Sequence, residues 1–175
     1  MVAAIHGPGN GPVAPKEEET MAGRIDARLS ELNLELPKAA APVAAYVPTV
    51  RSGNMLYVSG QVPFWNGELR HVGKLGAGYT VEQGAEAAKT CALNIIAQAK
   101  AALDGDLDRV VRVVKLVGFV NCTQEFTDMP KVINGASELM VQVFGDAGRH
   151  ARSAVGASSL PLGVAVEVEA ILEIA

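Results

Sequence analysis

Apolar residues recur at helical spacing along two long stretches of the chain. The clearer one starts at Thr80, which stands three residues before Gln83 in the spacing of a capping box, and Gly105 supplies its stop signal. The other runs from about Phe126 to Phe144, with Gly145 directly after it. The pattern therefore predicts two long amphipathic helices, each of which has an identifiable end.

A shorter helix is predicted over residues 23–34, where one face carries Ile25, Leu29 and Leu32. Residues 1–20 are rich in Gly, Pro, Ala and Glu and have no apolar core of the kind a secretory signal needs. We interpret them as a disordered tail or an added leader. Residues 21–175 are then expected to form a single domain.

Alternating and turn-forming residues predict strands between these helices. Residues 46–50 and 55–62 are expected to pair as a hairpin around the turn Ser52-Gly53-Asn54. Asn66-Gly67 is a second turn signal, and residues 71–78, which contain three glycines, should form a loop.

Residues 109–121 predict a strand that is apolar on both faces. Alternation assigns one face to Val111, Val113, Val117 and Phe119, and the other to Val114, Leu116 and Val120. In so small a protein this pattern indicates helices on one side and another subunit on the other.

The stretch from Arg149 to Glu169 carries the main candidate chemistry. Arg152 lies on a short strand, the turn at residues 160–163 follows, and the next strand would place Glu167 and Glu169 on the face opposite its valines. Arginine offers a planar fork that suits a carboxylate, and a glutamate on the adjoining strand could orient or deprotonate water. The alternative interpretation is an ordinary β-hairpin with a structural ion pair.

Composition narrows the classes of function. The chain has 175 residues, 49% of them hydrophobic and 19% charged, with a formal net charge of -4. It lacks the broad basic surface needed for nucleic acid and any apolar run long enough to span a membrane. Cys91 and Cys122 have no metal-binding spacing, so we expect both cysteines to be buried apolar residues of a protein in a reducing, cytoplasmic compartment.

His150 shares the predicted strand face of Arg152 and is interpreted as an incidental polar residue rather than a proton donor.

Ser59-Gly60-Gln61 ends a predicted strand and could offer backbone N–H groups to an oxygen of a small acid. The alternative is a simple β-bulge. The order of elements, with two β-β-α-like halves, predicts an α+β fold whose helices pack on one face of the sheet.

Three segments together resemble the Rid family, whose members are also called YjgF-like proteins and are often labelled endoribonuclease L-PSP. They are Tyr46, the run from Gly53 to Gln61, and Ala151-Arg152-Ser153-Ala154-Val155 followed by Leu160-Pro161 and Val166 to Ile171. The similarity covers roughly residues 42–175. The loop at residues 65–78 and the N-terminal helix are more similar to a divergent subgroup of the RidA-type 2-iminobutanoate/2-iminopropanoate deaminases.

This resemblance implies a chorismate-mutase-like domain with a mixed sheet, assembled as a homotrimer around a central barrel. The implied activity is hydrolysis of enamines and imines to 2-keto acids and ammonia in clefts between subunits, with no metal or cofactor. The implied site contains Arg152 for the substrate carboxylate, Glu167 for the attacking water, and Tyr46, Ser59 and Gly60 as pocket residues.

Two positions depart from the family's pattern. Ala154 stands where the family usually has a cysteine, and Gln124 stands where an asparagine is common before the second long helix. These departures leave open a second hypothesis, a non-catalytic trimer that binds or senses keto acid-like molecules. Ribonuclease activity is a third hypothesis, which the acidic charge and the lack of basic and aromatic clusters disfavour.

Overall fold

The structure, a computed structural model, describes residues 23–41 and 45–175, so the predicted tail at residues 1–20 lies outside the described part. In chain order the elements are α1 (Arg24–Glu31), β1 (Thr49–Ser52), β2 (Met55–Gln61), β3 (Phe64–Trp65), β4 (Glu68–Leu69), α2 (Val81–Ala102), β5 (Val110–Asn121), α3 (Met129–Phe144), β6 (Ala151–Ala157) and β7 (Val166–Ile174).

The predicted helix signals are confirmed with small shifts at their ends. The Gln83 backbone N–H donates to Thr80 Oγ1 at 3.2 Å, and the Thr80 N–H donates to Gln83 Oε1 at 2.9 Å, which completes the capping box of α2. Helix α3 begins at Met129 rather than Phe126, because Pro130 suits only the first turn of a helix. It ends at Gly145, which adopts a positive φ of 62°.

Five strands form one sheet in the order β1-β2-β7-β5-β6. Strands β5 and β6 are parallel and the other neighbours are antiparallel, so the sheet is mixed and the α+β prediction is confirmed. The hairpin turn at Gly53 and Asn54 joins β1 to β2, and Asn66-Gly67 joins the short pair β3-β4. Strand β1 starts at Thr49 instead of Tyr46, since Pro48 directly before it has no N–H for a ladder.

Two strand predictions are wrong. Strands β6 and β7 do not form a hairpin, because β5 lies between them and pairs with both. In β5, Val113 is buried beneath the helices with Leu116 and Val120 instead of sharing the face of Val117 and Phe119. The pairing of β5 with β7 shifts register twice near the start of β5, and each irregularity breaks simple alternation.

Both long helices cover the same face of the sheet. Helix α2 packs on β2 and β7, and α3 packs on β5 and β6. The helices also approach each other closely, since a Cβ built at Gly135 would clash with the backbone of Ala85. Within residues 23–41 and 45–175, no helix is long and apolar enough to cross a membrane.

The opposite face of the sheet carries no helix in the described part of the chain. Exposed apolar side chains on its strands include Val50, Tyr57, Val111 and Val155, each between 43% and 52% exposed. Half-buried Val117 and Phe119 lie among them. This bare apolar face is the one for which the sequence predicts another subunit.

Candidate functional site

A β-bulge at Ser59 and Gly60 interrupts the pairing of β2 with β7. Val58 pairs with Ala170 and Gln61 pairs with Val168, so two residues of β2 oppose one residue of β7. The Ser59 N–H donates to the Pro48 carbonyl at 2.9 Å. The bulge is therefore present, and the Ser59 N–H is not among the backbone donors open to a ligand.

The carboxylate of Glu167 lies directly against Gly60. A Cβ built at Gly60 would clash with Glu167 Oε1, so any larger residue would require this carboxylate to move from its present position. Partial burial raises the pKa of Glu167, and the like charge of Glu169 raises it further. A carboxylate with a raised pKa is a better proton acceptor than an exposed one, which suits the predicted role in activating water.

Tyr46 lies near the same bulge, ahead of β1 and 54% exposed. It lines a small cavity of about 90 Å³, as does Gly60. The other described lining residues are Ala40, Ala41, Pro48, Gln61, Val62, Phe64, Asn94 and Gln98. The structure therefore brings Tyr46, Ser59, Gly60 and Glu167 to one region, which we call the β2 half-site.

Arg152 lies on β6, at the far edge of the sheet. Its Nη1 donates to Asn134 Oδ1 at 2.8 Å and to Ser137 Oγ at 3.2 Å, both on α3. Ser137 Oγ also lies 3.0 Å from Nε2 of His150, whose Nδ1 is bonded to the Gly148 carbonyl. His150 thus bonds to both α3 and the backbone just before β6.

The guanidinium of Arg152 is exposed and is held by neutral oxygen atoms. Across residues 23–41 and 45–175, the ion pairs involve other residues and none includes Arg152. Its positive charge is therefore not neutralised by a described carboxylate, while the two α3 side chains fix its position. This arrangement suits an arginine that receives the carboxylate of a ligand.

Arg152 and Glu167 do not meet within one chain. Arg152 pairs with Leu116, which is fully buried on the helix-covered face, whereas Glu167 pairs with Phe119 on the bare face. Paired residues share a face, so the two side chains point to opposite faces and β5 separates their strands. The expectation that Glu167 lies on the strand adjoining that of Arg152 is wrong.

The remaining predicted residues lie on β6 or beside its C-terminal end. Ala154 follows it on the same face of β6, and Gln124 lines a larger cavity of about 450 Å³ beside the end of this strand. We call Arg152, Ala154 and Gln124 the β6 half-site. Among the described residues, no group of three or more His, Cys, Asp or Glu side chains could hold a metal ion.

Sequence reasoning missed Asn134 and Ser137, which hold Arg152. Their signal is weak, because two small polar residues spaced three apart on a helix fit any solvent-facing turn. It also missed Phe126, Met129 and Gly156, which line the larger cavity, because a methionine at helical spacing is equally typical of a core stripe.

The chain was compared with known families and structures. A family described as YjgF/chorismate mutase-like, putative endoribonuclease, matches residues 26–174. Protein TCP17 from Trypanosoma cruzi is 52% identical over 153 residues, which are 87% of this chain and 95% of that protein.

Two solved structures extend the comparison. Atu1372 from Agrobacterium tumefaciens, described as a protein of unknown function, is 50% identical, with a TM-score of 0.81 over 86% of this chain and 92% of its own. RidA from an Antarctic Psychrobacter is 32% identical, with a TM-score of 0.56 over 80% of this chain and 97% of its own. The fold and the sequence similarity thus agree.

Proposed function

Since the chain belongs to the YjgF/chorismate mutase-like family, we propose that it hydrolyses 2-imino acids and their enamine tautomers to 2-keto acids and ammonia. The observation that carries the proposal is the exposed Arg152 guanidinium, which is held by Asn134 and Ser137 and has no described carboxylate partner. Such a group can fix the acid end of a small substrate bidentately. The relative named RidA, 32% identical, supports the same assignment.

The reaction needs little beyond orientation and a base, because an imine carbon is already electrophilic. Glu167 accepts a proton from water as the water oxygen bonds to that carbon, and this proton is then passed to the nitrogen, which restores the carboxylate. Collapse of the resulting carbinolamine forms the C=O bond, breaks the C–N bond and releases ammonia. Tyr46 closes the pocket, and Arg152 holds the carboxylate throughout.

In this proposal the active site is assembled between subunits of a homotrimer. The β2 half-site and the β6 half-site lie at opposite edges of one sheet, and Arg152 and Glu167 point to opposite faces. A cyclic trimer places one edge of each sheet against the other edge of the next. The bare apolar face would then line the central barrel.

The test is release of ammonia and keto acid from 2-imino acids that an amino acid oxidase generates in the assay. Arg152→Ala should lower turnover by about 100-fold or more, since a charge-assisted bidentate contact is lost. Arg149→Ala is the matched control, because Arg149 lies nearby, is exposed and pairs only with Asp146. Full turnover by Arg152→Ala in an unchanged oligomer would overturn the assignment.

A second candidate function is a trimer that binds keto acids without turning over imines. The observation that favours it is Ala154, which leaves the β6 half-site without the thiol common in the family. Saturable keto acid binding that depends on Arg152, with no imine hydrolysis by the wild type, would establish it. Measurable turnover would exclude it.

Ribonuclease activity is the third candidate, and the family's description names it. The net charge of -4 is its main difficulty, because binding of the phosphate backbone needs a basic surface. RNA cleavage that disappears in Arg152→Ala would support it over the deaminase.

A further inference from the structure

On its helix-covered face, β6 carries only small side chains beyond Arg152. Alternation places Ala154 and Gly156 on the same face as Arg152, so only one methyl group covers the strand after the arginine. A Cβ built at Gly156 would lie 2.8 Å from Cys122 Sγ and 3.8 Å from Met129 Cε. Gly156 therefore leaves only a narrow gap between those two side chains, which a methyl group can enter only if the Cys122 thiol shifts.

This gap opens into the cavity of about 450 Å³, which we call the β6 cavity. Its described lining residues are Cys122, Thr123, Gln124, Phe126, Met129, Gly156, Ala157 and Ser158. Phe126, Met129 and Cys122 give it apolar walls, whereas Gln124, Thr123 and Ser158 give it polar lining groups. Its volume falls within the range of ligand pockets, about 300 to 1,000 Å³.

The β6 cavity lies beyond Arg152 along both β6 and α3. Helix α3 joins the end of β5 to the start of the parallel strand β6, so it runs antiparallel to both. Asn134, which holds the guanidinium, and Met129, which lines the cavity, are five residues apart on α3. Five residues correspond to an axial rise of about 8 Å and to a rotation of about 140°, so 8 Å is the offset along α3 and the two side chains leave different faces of the helix.

We propose that the β6 cavity receives the side chain of the substrate and that this side chain is large and apolar, aromatic or branched. The inference rests on the proposed imine hydrolysis and names its substrate class. A carboxylate at Arg152 leaves about 8 Å along α3 to the apolar walls, a length that a benzyl or isobutyl group fills better than a methyl group. Between the two, β6 presents only the small residues Ala154 and Gly156 on this face.

The expected preference of the wild type for imines with large apolar side chains is moderate. A benzyl or isobutyl group buries several carbons more than a methyl group does. In a hydrophobic pocket, one additional methylene group can already change kcat/KM by about 10- to 200-fold. The wild type should therefore have a kcat/KM at least about tenfold higher for the imines derived from phenylalanine and leucine than for the imine derived from alanine.

Two variants test the cavity independently. Gly156→Ala places a methyl group in the gap and should lower kcat/KM for the phenylalanine-derived imine by about tenfold or more, with little change for the alanine-derived imine. Met129→Gln keeps the length of the side chain but makes the wall polar, and it should reduce the preference in the same direction. Met55→Gln, the same chemical change on β2, is the matched control and should leave the preference unchanged.

The outcomes separate this inference from the proposed function. Hydrolysis of every imine at one rate, or fastest hydrolysis of the alanine-derived imine, would overturn the inference while leaving the proposed function in place. An unchanged preference in Met129→Gln would also overturn it, even where Gly156→Ala does not fold. If the wild type accelerates no imine at all, the proposed function itself fails and the inference fails with it.

Discussion

Glu167 is the residue whose environment gives the sharpest prediction about pH. Burial raises its pKa above the ordinary value of a glutamate, and the charge of Glu169 contributes in the same direction. If the carboxylate is the base, kcat/KM should rise with pH through a midpoint above 4.5, because only the ionised form can accept a proton. Glu169→Gln should move this midpoint to lower pH.

The measurement is a pH profile of kcat/KM for the wild type, Glu169→Gln and Glu173→Gln as the control. Glu173 lies farther along β7 and is not a cause of the Glu167 shift. The same midpoint in the wild type and in Glu169→Gln would contradict a base role for Glu167 that is coupled to Glu169.

The sign of this pKa shift also has a consequence for stability. A carboxyl group whose pKa is raised by folding destabilises the folded state when it is ionised, and this cost is complete above the folded pKa and absent below the unfolded pKa. Glu167 therefore does not stabilise the fold at neutral pH. A group kept at such a cost is typical of a functional site.

At the residue scale, sequence could identify charged groups but not their surroundings. Arg152 and Glu167 were found from residue chemistry and family resemblance. The neutral partners of Arg152 on α3 were not found, because a contact between residues 15 and 18 positions apart depends on packing between elements. The close fit of Gly60 against Glu167 is a long-range feature of the same kind.

At the element scale, helices were predicted better than strand partners because helix signals are local. The capping box of α2 and the glycine at the end of α3 are each encoded within a few residues. Strand pairing is set by the whole sheet, so the short β6-β7 connection looked like a hairpin although β5 separates the two strands. The two irregularities of β5 likewise left no clear mark in the pattern.

The capping box makes a quantitative prediction about α2. Thr80→Ala removes the oxygen that accepts from the Gln83 N–H, and it should lower the free energy of unfolding by about 1 kcal/mol. The matched control is Thr90→Ala in the same helix. The Thr90 hydroxyl donates to the Glu86 carbonyl, which is available for an ordinary helical bond, so its loss should change stability by less than about 0.5 kcal/mol.

Chemical denaturation of all three proteins at one protein concentration measures this difference. Equal unfolding free energies for the Thr80 and Thr90 variants would show that the cap contributes nothing beyond a general threonine effect.

At the scale of the whole molecule, the bare face of the sheet and the divided site favour the same assembly. Val50, Tyr57, Val111 and Val155 are exposed on a surface that no described helix covers. Closure of three sheets into a barrel would bury these side chains. The same closure is what could bring the Arg152 of one chain towards the Glu167 of another, since within one chain they point to opposite faces.

Mixed oligomers test this arrangement directly. Arg152→Ala and Glu167→Gln should each be inactive alone, because each removes one half of every site. Co-expressed with different affinity tags and purified through both, they form mixed trimers in which one boundary of the three joins an intact Arg152 to an intact Glu167. Such trimers should recover about one third of wild-type turnover if the site lies between subunits.

A site built within a single chain predicts a different result, because every subunit then carries one of the two lesions and no mixture can repair it. The control is a mixed trimer of two differently tagged Arg152→Ala chains, which must remain inactive under either arrangement. Recovery in the first mixture alone would assign the two half-sites to neighbouring subunits. Its absence, in trimers shown to contain both variants, would mean that no site combines the Arg152 of one subunit with the Glu167 of another.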